Sequence, residues 1–323
     1  MFALFVERPD PENPMAALRM GQRPEPEIPD GWVRVKISHA SLNRHDIFTL
    51  RGITGQDTPI PFPMILGNDG AGTLDDGTEV AIYPLIGSPD WRGDETIDPA
   101  WHVLSEKVPG TFADYVAVPR RNAVPLPEGL SALTASVLGT AWLTAYRMLF
   151  AKARLRPGQT ILVQGATGGM STALIQLGQA AGLTVWVTSR SREGQALAER
   201  LGAHAVLAQG EAAPGKADAV FDNVGAATWG HSLRSVARGG TVVTTGITTG
   251  REVPLDLLPV IVNQITITGS IMGTLEDMRR LMAFVRQSGI RPEIDQVVPM
   301  DQAREPMSRM AQGQVRGKIV FTR

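Results

Sequence analysis

Two hydrophobic rhythms divide the chain. Residues 32–37 alternate, with Val33, Val35 and Ile37 on one side and Arg34 and Lys36 on the other, the period of a half-buried strand. Residues 77–82 read as a turn followed by a strand, and Pro59, Pro61 and Pro63 impose an extended loop. Segment 84–111 holds Gly, Pro, Asp and two Trp without a period and reads as a long surface loop. From residue 131 an Ala-rich apolar stretch to 150 predicts one or two helices. Short apolar runs then recur at 161–163, 185–187, 205–207, 219–221, 241–243 and 265–267, each suited to a strand buried on both faces. Most are separated by helical patterns. Met170, Leu174, Leu177 and Ala181 share one helical face, and Leu275, Met278, Leu281, Met282 and Val285 mark a helix that Gly289 ends. Alternating Ile and Thr in 265–268 suit a sheet edge, and residues 317–321 return to strand. Strands alternating with helices predict an α/β fold with a parallel, doubly wound sheet beside a β-rich part.

The run 161–164 leads into Gly165-Ala-Thr-Gly168-Gly169-Met-Ser171 and then a helix. Such glycines let the backbone turn sharply and approach a pyrophosphate, while the helix start offers free N–H groups, so this is a variant of the dinucleotide fingerprint. Ser171 stands where a third glycine is usual and is small enough to keep helix and strand close. About 20 residues on, the acid that would hold a ribose 2′-hydroxyl is absent. Ser189, Arg190, Ser191 and Arg192 stand there instead. Arginine pairs with a 2′-phosphate that a carboxylate would repel, which favours NADP(H) over NAD(H).

Composition narrows the field. With 31 basic and 32 acidic residues the net charge is −1, which argues against a nucleic-acid or membrane-surface partner. No apolar run is long enough to span a bilayer, and the first residues read as a strand, so a cytoplasmic location is expected. There is no cysteine, which excludes disulfides, thiolate metal sites and a cysteine nucleophile.

Together the segments 41–46 (SLNRHD), 66–72 (LGNDGAG), 77–82, 110–119 (GTFADYVAVP), 139–149 (GTAWLTAYRML), the glycine turn and 317–320 (GKIV) resemble the medium-chain dehydrogenase/reductase superfamily along essentially the whole chain. The resemblance implies a GroES-like catalytic domain over 1–122 and 290–323 and a Rossmann domain over 123–289, with the active site in the cleft. Zinc enzymes of that family hold a catalytic metal with Cys, His and Cys or acidic ligands. The matching positions are Asn43, Asn68 with Asp69, and Thr140, poor zinc ligands, and the structural-zinc lobe would fall in 84–111. The chain is therefore similar to the zinc-free quinone oxidoreductase branch, and no metal site is expected. Enoyl-thioester reductases carry a tyrosine where Thr54 stands.

The expected reaction is hydride transfer from NADPH to a quinone or an α,β-unsaturated carbonyl. An enoyl-thioester reductase and a non-catalytic NADPH-binding redox sensor are the alternatives. Without zinc, hydrogen-bond donors must stabilise the oxygen that gains electrons, and Asn43 and His45 are the candidates. Asp46 is read as holding the loop. By resemblance Arg44 touches the pyrophosphate and Thr144 packs near the nicotinamide. Cofactor contacts are expected from Gly165, Thr167, Gly168, Gly169, Met170, Ser189, Arg190 and Arg192. Further contacts are expected from Asn223, Val224, Gly246, Ile247, Ser270 and Met272, in loops at strand carboxyl ends. Lys318 is read as an edge-strand lysine, with a phosphate contact as the alternative. A homodimer joined at the 265–268 edge is the expected assembly.

Overall fold

The computed structural model describes residues 1–55 and 58–323. The chain divides into two compact units, one of residues 1–143 and 273–323 and one of residues 144–272. These limits fall 21 and 17 residues inside the 122/123 and 289/290 boundaries expected from the sequence. Helix Leu275–Ser288 packs against the helical turn Leu138–Trp142, which ties both to the first unit.

In the first unit the long strand Trp32–Leu42 is the spine of a seven-stranded sheet. Val33, Val35 and Ile37 point into the core while Lys36 faces solvent, as the alternation predicts. Strand Asp69–Leu74 pairs with it antiparallel and sets Asp69 opposite Ser41. On the other side strand Lys318–Thr322 pairs antiparallel, with Ile319 opposite Leu42, and runs parallel to Ile294–Pro299. Lys318 therefore lies inside the sheet and is 2% exposed, which corrects its reading as an edge-strand residue. Phe112 and Phe321 meet edge to face at 5.1 Å among Leu4, Val35 and Leu42.

Segment 84–111 differs from the expected surface loop. Strands Leu85–Ile86 and His102–Val103 pair antiparallel, and Leu85, Ile86, Val103, Leu104, Ser105 and Glu106 are buried. Its apolar residues come in pairs too short to display a period, so the sequence hid them. Residues 131–150 are helical, starting at Ser131, whose hydroxyl accepts from the Thr134 N–H, and including π-helical turns at Leu138–Trp142 and Met148–Lys152.

The second unit is built on six parallel strands. Across the sheet they run Ala205–Ala208, Thr184–Ser189, Thr160–Gln164, Ala217–Asp222, Val236–Thr244 and Thr266–Gly269. Counted along the unit this is order 3-2-1-4-5-6, the doubly wound Rossmann arrangement. Ile161, Leu162, Val163, Val220 and Phe221 have no exposure, as strands covered on both faces require. Thr266–Gly269 does lie at the edge. In helix Gly169–Ala180, Leu174 and Leu177 are buried, with Met170 and Ala181 at half-buried ends. Among the described residues no helix is long and apolar enough to cross a membrane.

Candidate functional site

In the second unit the expected cofactor residues gather after the carboxyl ends of five parallel strands, where such sheets bind ligands. Gly165 takes φ +85°, turning the chain out of strand Thr160–Gln164, and its N–H donates to the Thr188 hydroxyl at 3.2 Å. Gly168 caps the next helix without a side-chain acceptor, so the first-turn N–H groups behind Gly169 and Met170 stay available for an anion. Thr167 is half-buried in the same turn. The Asn223 amide donates to the Ser171 hydroxyl at 3.0 Å. The serine that replaces the third glycine thus joins the two loops where the strand order reverses, a role the sequence does not announce. Val224 N–H donates to Asp222 at 3.1 Å. Gly246 lies so close that an added Cβ would meet the Asn223 carbonyl oxygen at 2.0 Å, which fixes glycine there. Ile247 is exposed, Ser270 is buried with a hydroxyl that has no partner among the described residues, and Met272 is buried at φ +48°. Thr144 is buried on its helix.

Ser189, Arg190, Ser191 and Arg192 line a cavity of about 480 Å³ with Gln195, Ala208 and Gln209, none of them acidic. Ser191 caps helix Arg192–Arg200 by accepting from the Gly194 N–H at 3.1 Å. Both arginines are exposed and make no salt bridge among the described residues. These groups, together with the glycine turn, fit a nicotinamide dinucleotide.

In the first unit a buried polar cluster forms where the three strands meet. Asp69, fully buried, accepts from Ser41 Oγ at 3.0 Å, Asn43 Nδ2 at 2.8 Å and Lys318 Nζ at 3.3 Å on one oxygen. Its other oxygen accepts from Thr140 Oγ1 at 2.5 Å. Gly139 lets this happen, since a Cβ there would sit 2.8 Å from the carboxylate. Lys318 also donates to the Leu42 carbonyl at 2.9 Å and Asn43 Oδ1 at 2.5 Å, which uses all three ammonium hydrogens. Burial lowers its pKa, and Asp69 and Asp46 oppose that shift. Asp46 accepts from the N–H groups of Asn43 and Gly67, which bears out its loop-holding role. Burial pushes its carboxyl up to about 6 against the pull of the Asn43 N–H.

The sequence casts Asn43 as offering its amide to a substrate. Its Oδ1 is taken by Lys318, one Nδ2 hydrogen by Asp69, and Nδ2 leans on the Ser41 carbonyl at 3.4 Å. The amide is spent within the cluster, which corrects that expectation. Arg44 opens helix Arg44–Arg51 with an exposed side chain. His45, one residue on, places Nε2 3.0 Å from Glu106 Oε1, and its buried Nδ1 has no partner among the described residues. Glu106 is silent in the sequence, because a single acid in a segment without period or motif carries no signal.

Zinc prefers thiolate, imidazole and carboxylate donors. Asn43, Asn68 and Thr140 supply amides and a hydroxyl, and Asp69 already faces an ammonium. Among the described residues no group of three or more His, Cys, Asp or Glu could hold a metal ion. The residues at these positions do not fit zinc.

A six-stranded Rossmann sheet with a glycine-turn anion site, carried by a chain that also builds a β-rich unit around a buried polar cluster, defines a two-unit nicotinamide-type oxidoreductase. Residues 29–128 match the alcohol dehydrogenase GroES-like domain, and residues 169–287 match the zinc-binding dehydrogenase family. An alcohol dehydrogenase of Geobacillus stearothermophilus is 27% identical over 333 residues, covering 94% of this chain and 95% of that one. A quinone oxidoreductase of Mus musculus is 25% identical over 311 residues, covering 90% and 88%. The crystal structure of an NAD-dependent alcohol dehydrogenase superposes with TM-score 0.90 at 29% identity, over the full length of both chains. The chain belongs to the medium-chain dehydrogenase/reductase superfamily.

Proposed function

We propose that this enzyme is a zinc-independent, NADPH-dependent reductase of quinones or α,β-unsaturated carbonyls. The observation that carries this reading is the Lys318 ammonium seated among Asp69, Asn43 and Thr140, at positions where zinc relatives place their ligands. Quinones and enones accept hydride without a Lewis acid, because the added electron pair delocalises onto an oxygen that a hydrogen-bond donor can stabilise. The NADPH preference rests on Ser189, Arg190, Ser191 and Arg192 around a cavity with no acid. Gly165, Thr167, Gly168, Gly169 and Met170 would cradle the pyrophosphate. Asn223, Val224, Gly246, Ile247, Ser270, Met272 and Thr144 would border the nicotinamide half.

The bound cofactor supplies the hydride. The protein's own contribution is orientation and a proton. His45 would give that proton to the reduced oxygen, with Asn43 holding its loop through Lys318 and Asp69. Thr54, where enoyl-thioester reductases carry tyrosine, donates to Glu106 at 3.2 Å, which speaks against that alternative. A homodimer is supported by helix Leu257–Asn263, which precedes the edge strand, has no buried residue and exposes Leu257, Leu258 and Ile261.

The test is to mix purified protein with NADPH or NADH and a panel of phenanthrenequinone, enones, crotonyl thioesters and simple alcohols, following reduced-nicotinamide absorbance. Faster oxidation of NADPH with quinones or enones, and no stoichiometric zinc by elemental analysis, is the expected result. Turnover of thioesters alone, or alcohol oxidation with bound zinc, would replace the reading. Binding of NADPH without any turnover would point to a sensor.

A further inference from the structure

The His45–Glu106 contact joins two elements that no motif connects. Glu106 is 5% exposed at its side chain and His45 23%. Glu106 Oε1 receives both His45 Nε2 and the Thr54 hydroxyl. The carboxylate is held from behind. Ser105 sits in the left-handed region at φ +68°, and its N–H closes a turn onto the Val108 carbonyl at 2.8 Å. Asn68 donates to the Leu104 carbonyl at 2.5 Å. Ser105 Oγ lies 3.4 Å from Thr49 Oγ1 on the helix that carries His45.

Such a carboxylate decides which ring nitrogen bears hydrogen. Burial alone would push Glu106 up, but the His45 ring, with help from the Val103 N–H and Thr54, holds it below the usual carboxylate range. An ionised carboxylate only accepts, so the shared hydrogen belongs to Nε2. The lone pair of the neutral ring is then at Nδ1. That atom is buried and has no partner among the described residues, so a donor that reaches it must come from a ligand or a water.

We propose that Glu106 is a positioning residue that locks His45 in its Nε2–H form and reserves Nδ1 as the atom that passes a proton to the reduced substrate. This deepens the reductase reading and rests on it for the last step. As hydride reaches the substrate, the electron pair of the broken π bond moves to oxygen. The Nδ1–H bond of the protonated ring breaks, an O–H bond forms, and solvent returns the proton to Nδ1. The net change is one hydride and one proton gained by the acceptor. The carboxylate itself takes up no proton, as with other orienting acids behind a catalytic histidine.

The lock is tested on the free protein with 15N-labelled histidine, using His45→Gln to assign its signals. The neutral ring of His45 should show a single Nε2–H form. Glu106→Gln, nearly isosteric, can accept from or donate to Nε2, so both forms should appear. Its kcat should fall roughly 10- to 100-fold, with KM for NADPH unchanged and Glu106→Asp recovering part of the loss. A wild-type Nδ1–H form, or a Glu106→Gln protein with unaltered nitrogen shifts and kcat, would overturn the proposal. If the wild type oxidises no NADPH with any acceptor, the reductase reading and the proton step fall together, while the nitrogen spectrum still decides the lock.

Discussion

Replacing Lys318 with methionine keeps the length of the side chain and removes its charge. In the folded chain this strips Asp69 of its cation and removes the Lys318 donor from Asn43 Oδ1 and the Leu42 carbonyl, all on buried residues. Asp69 would keep Ser41, Asn43 and Thr140, but three dipoles replace a full charge only in part. Breaking a buried ion pair by deleting one partner costs about 3–5 kcal/mol. For a unit of this size that lowers Tm by roughly 6–20 °C, at about 2–4 °C per kcal/mol. The loss comes from the orphaned carboxylate. Adding Asp69→Asn to Lys318→Met should therefore recover most of it, because a buried pair replaced on both sides is often neutral. Urea unfolding of the wild type, both single variants and the double variant closes the cycle, with a coupling energy above about 2 kcal/mol expected. A single variant that loses less than about 1 kcal/mol, or a double variant no more stable than Lys318→Met, would show that the cluster is a solvated surface pair in effect.

Arg190→Ala and Arg192→Ala should each weaken NADPH binding roughly 10- to 100-fold and leave NADH binding nearly unchanged, as read by fluorescence titration with both nucleotides. Equal losses for the two nucleotides would remove the 2′-phosphate reading. Asp46, with its folded pKa raised to about 6 from 3.8, favours folding most in its protonated form. Its contribution is full below about pH 4 and lost as pH rises through 6, an effect of up to about 3 kcal/mol. The wild type should therefore gain stability relative to Asp46→Asn as pH falls from 7 to 4, measured by urea unfolding at each pH. Gly139→Ala places a Cβ 2.8 Å from Asp69 Oδ1 and 3.2 Å from the Ile82 carbonyl, and should cost about 1–3 kcal/mol by the same assay.

The Rossmann unit was legible because strands covered on both faces must be short and apolar throughout, and because the glycine turn needs a fixed context of strand and helix. Val33, Val35 and Ile37 were legible for a different reason, a face of water against a face of core. The cluster in the first unit was only half legible. Asn43, Asp69 and Thr140 stood out by resemblance, yet nothing local says that Lys318, some 275 residues from Asn43, completes it. Strand register across the sheet makes that contact, and register is a tertiary fact. Glu106 and the paired apolar residues of 84–111 lacked even that hint, since their burial depends on partners distant in sequence.

One connection has a bearing on how the protein is made. Strand Trp32–Leu42 waits for Lys318–Thr322 to fill its flank, and the whole of residues 144–272 is synthesised in between. On the ribosome the inserted unit holds everything needed for its own sheet and can finish first. Its host meanwhile carries an open seam of unpaired amides, a natural perch for a chaperone and an early target for proteases until the late strand arrives.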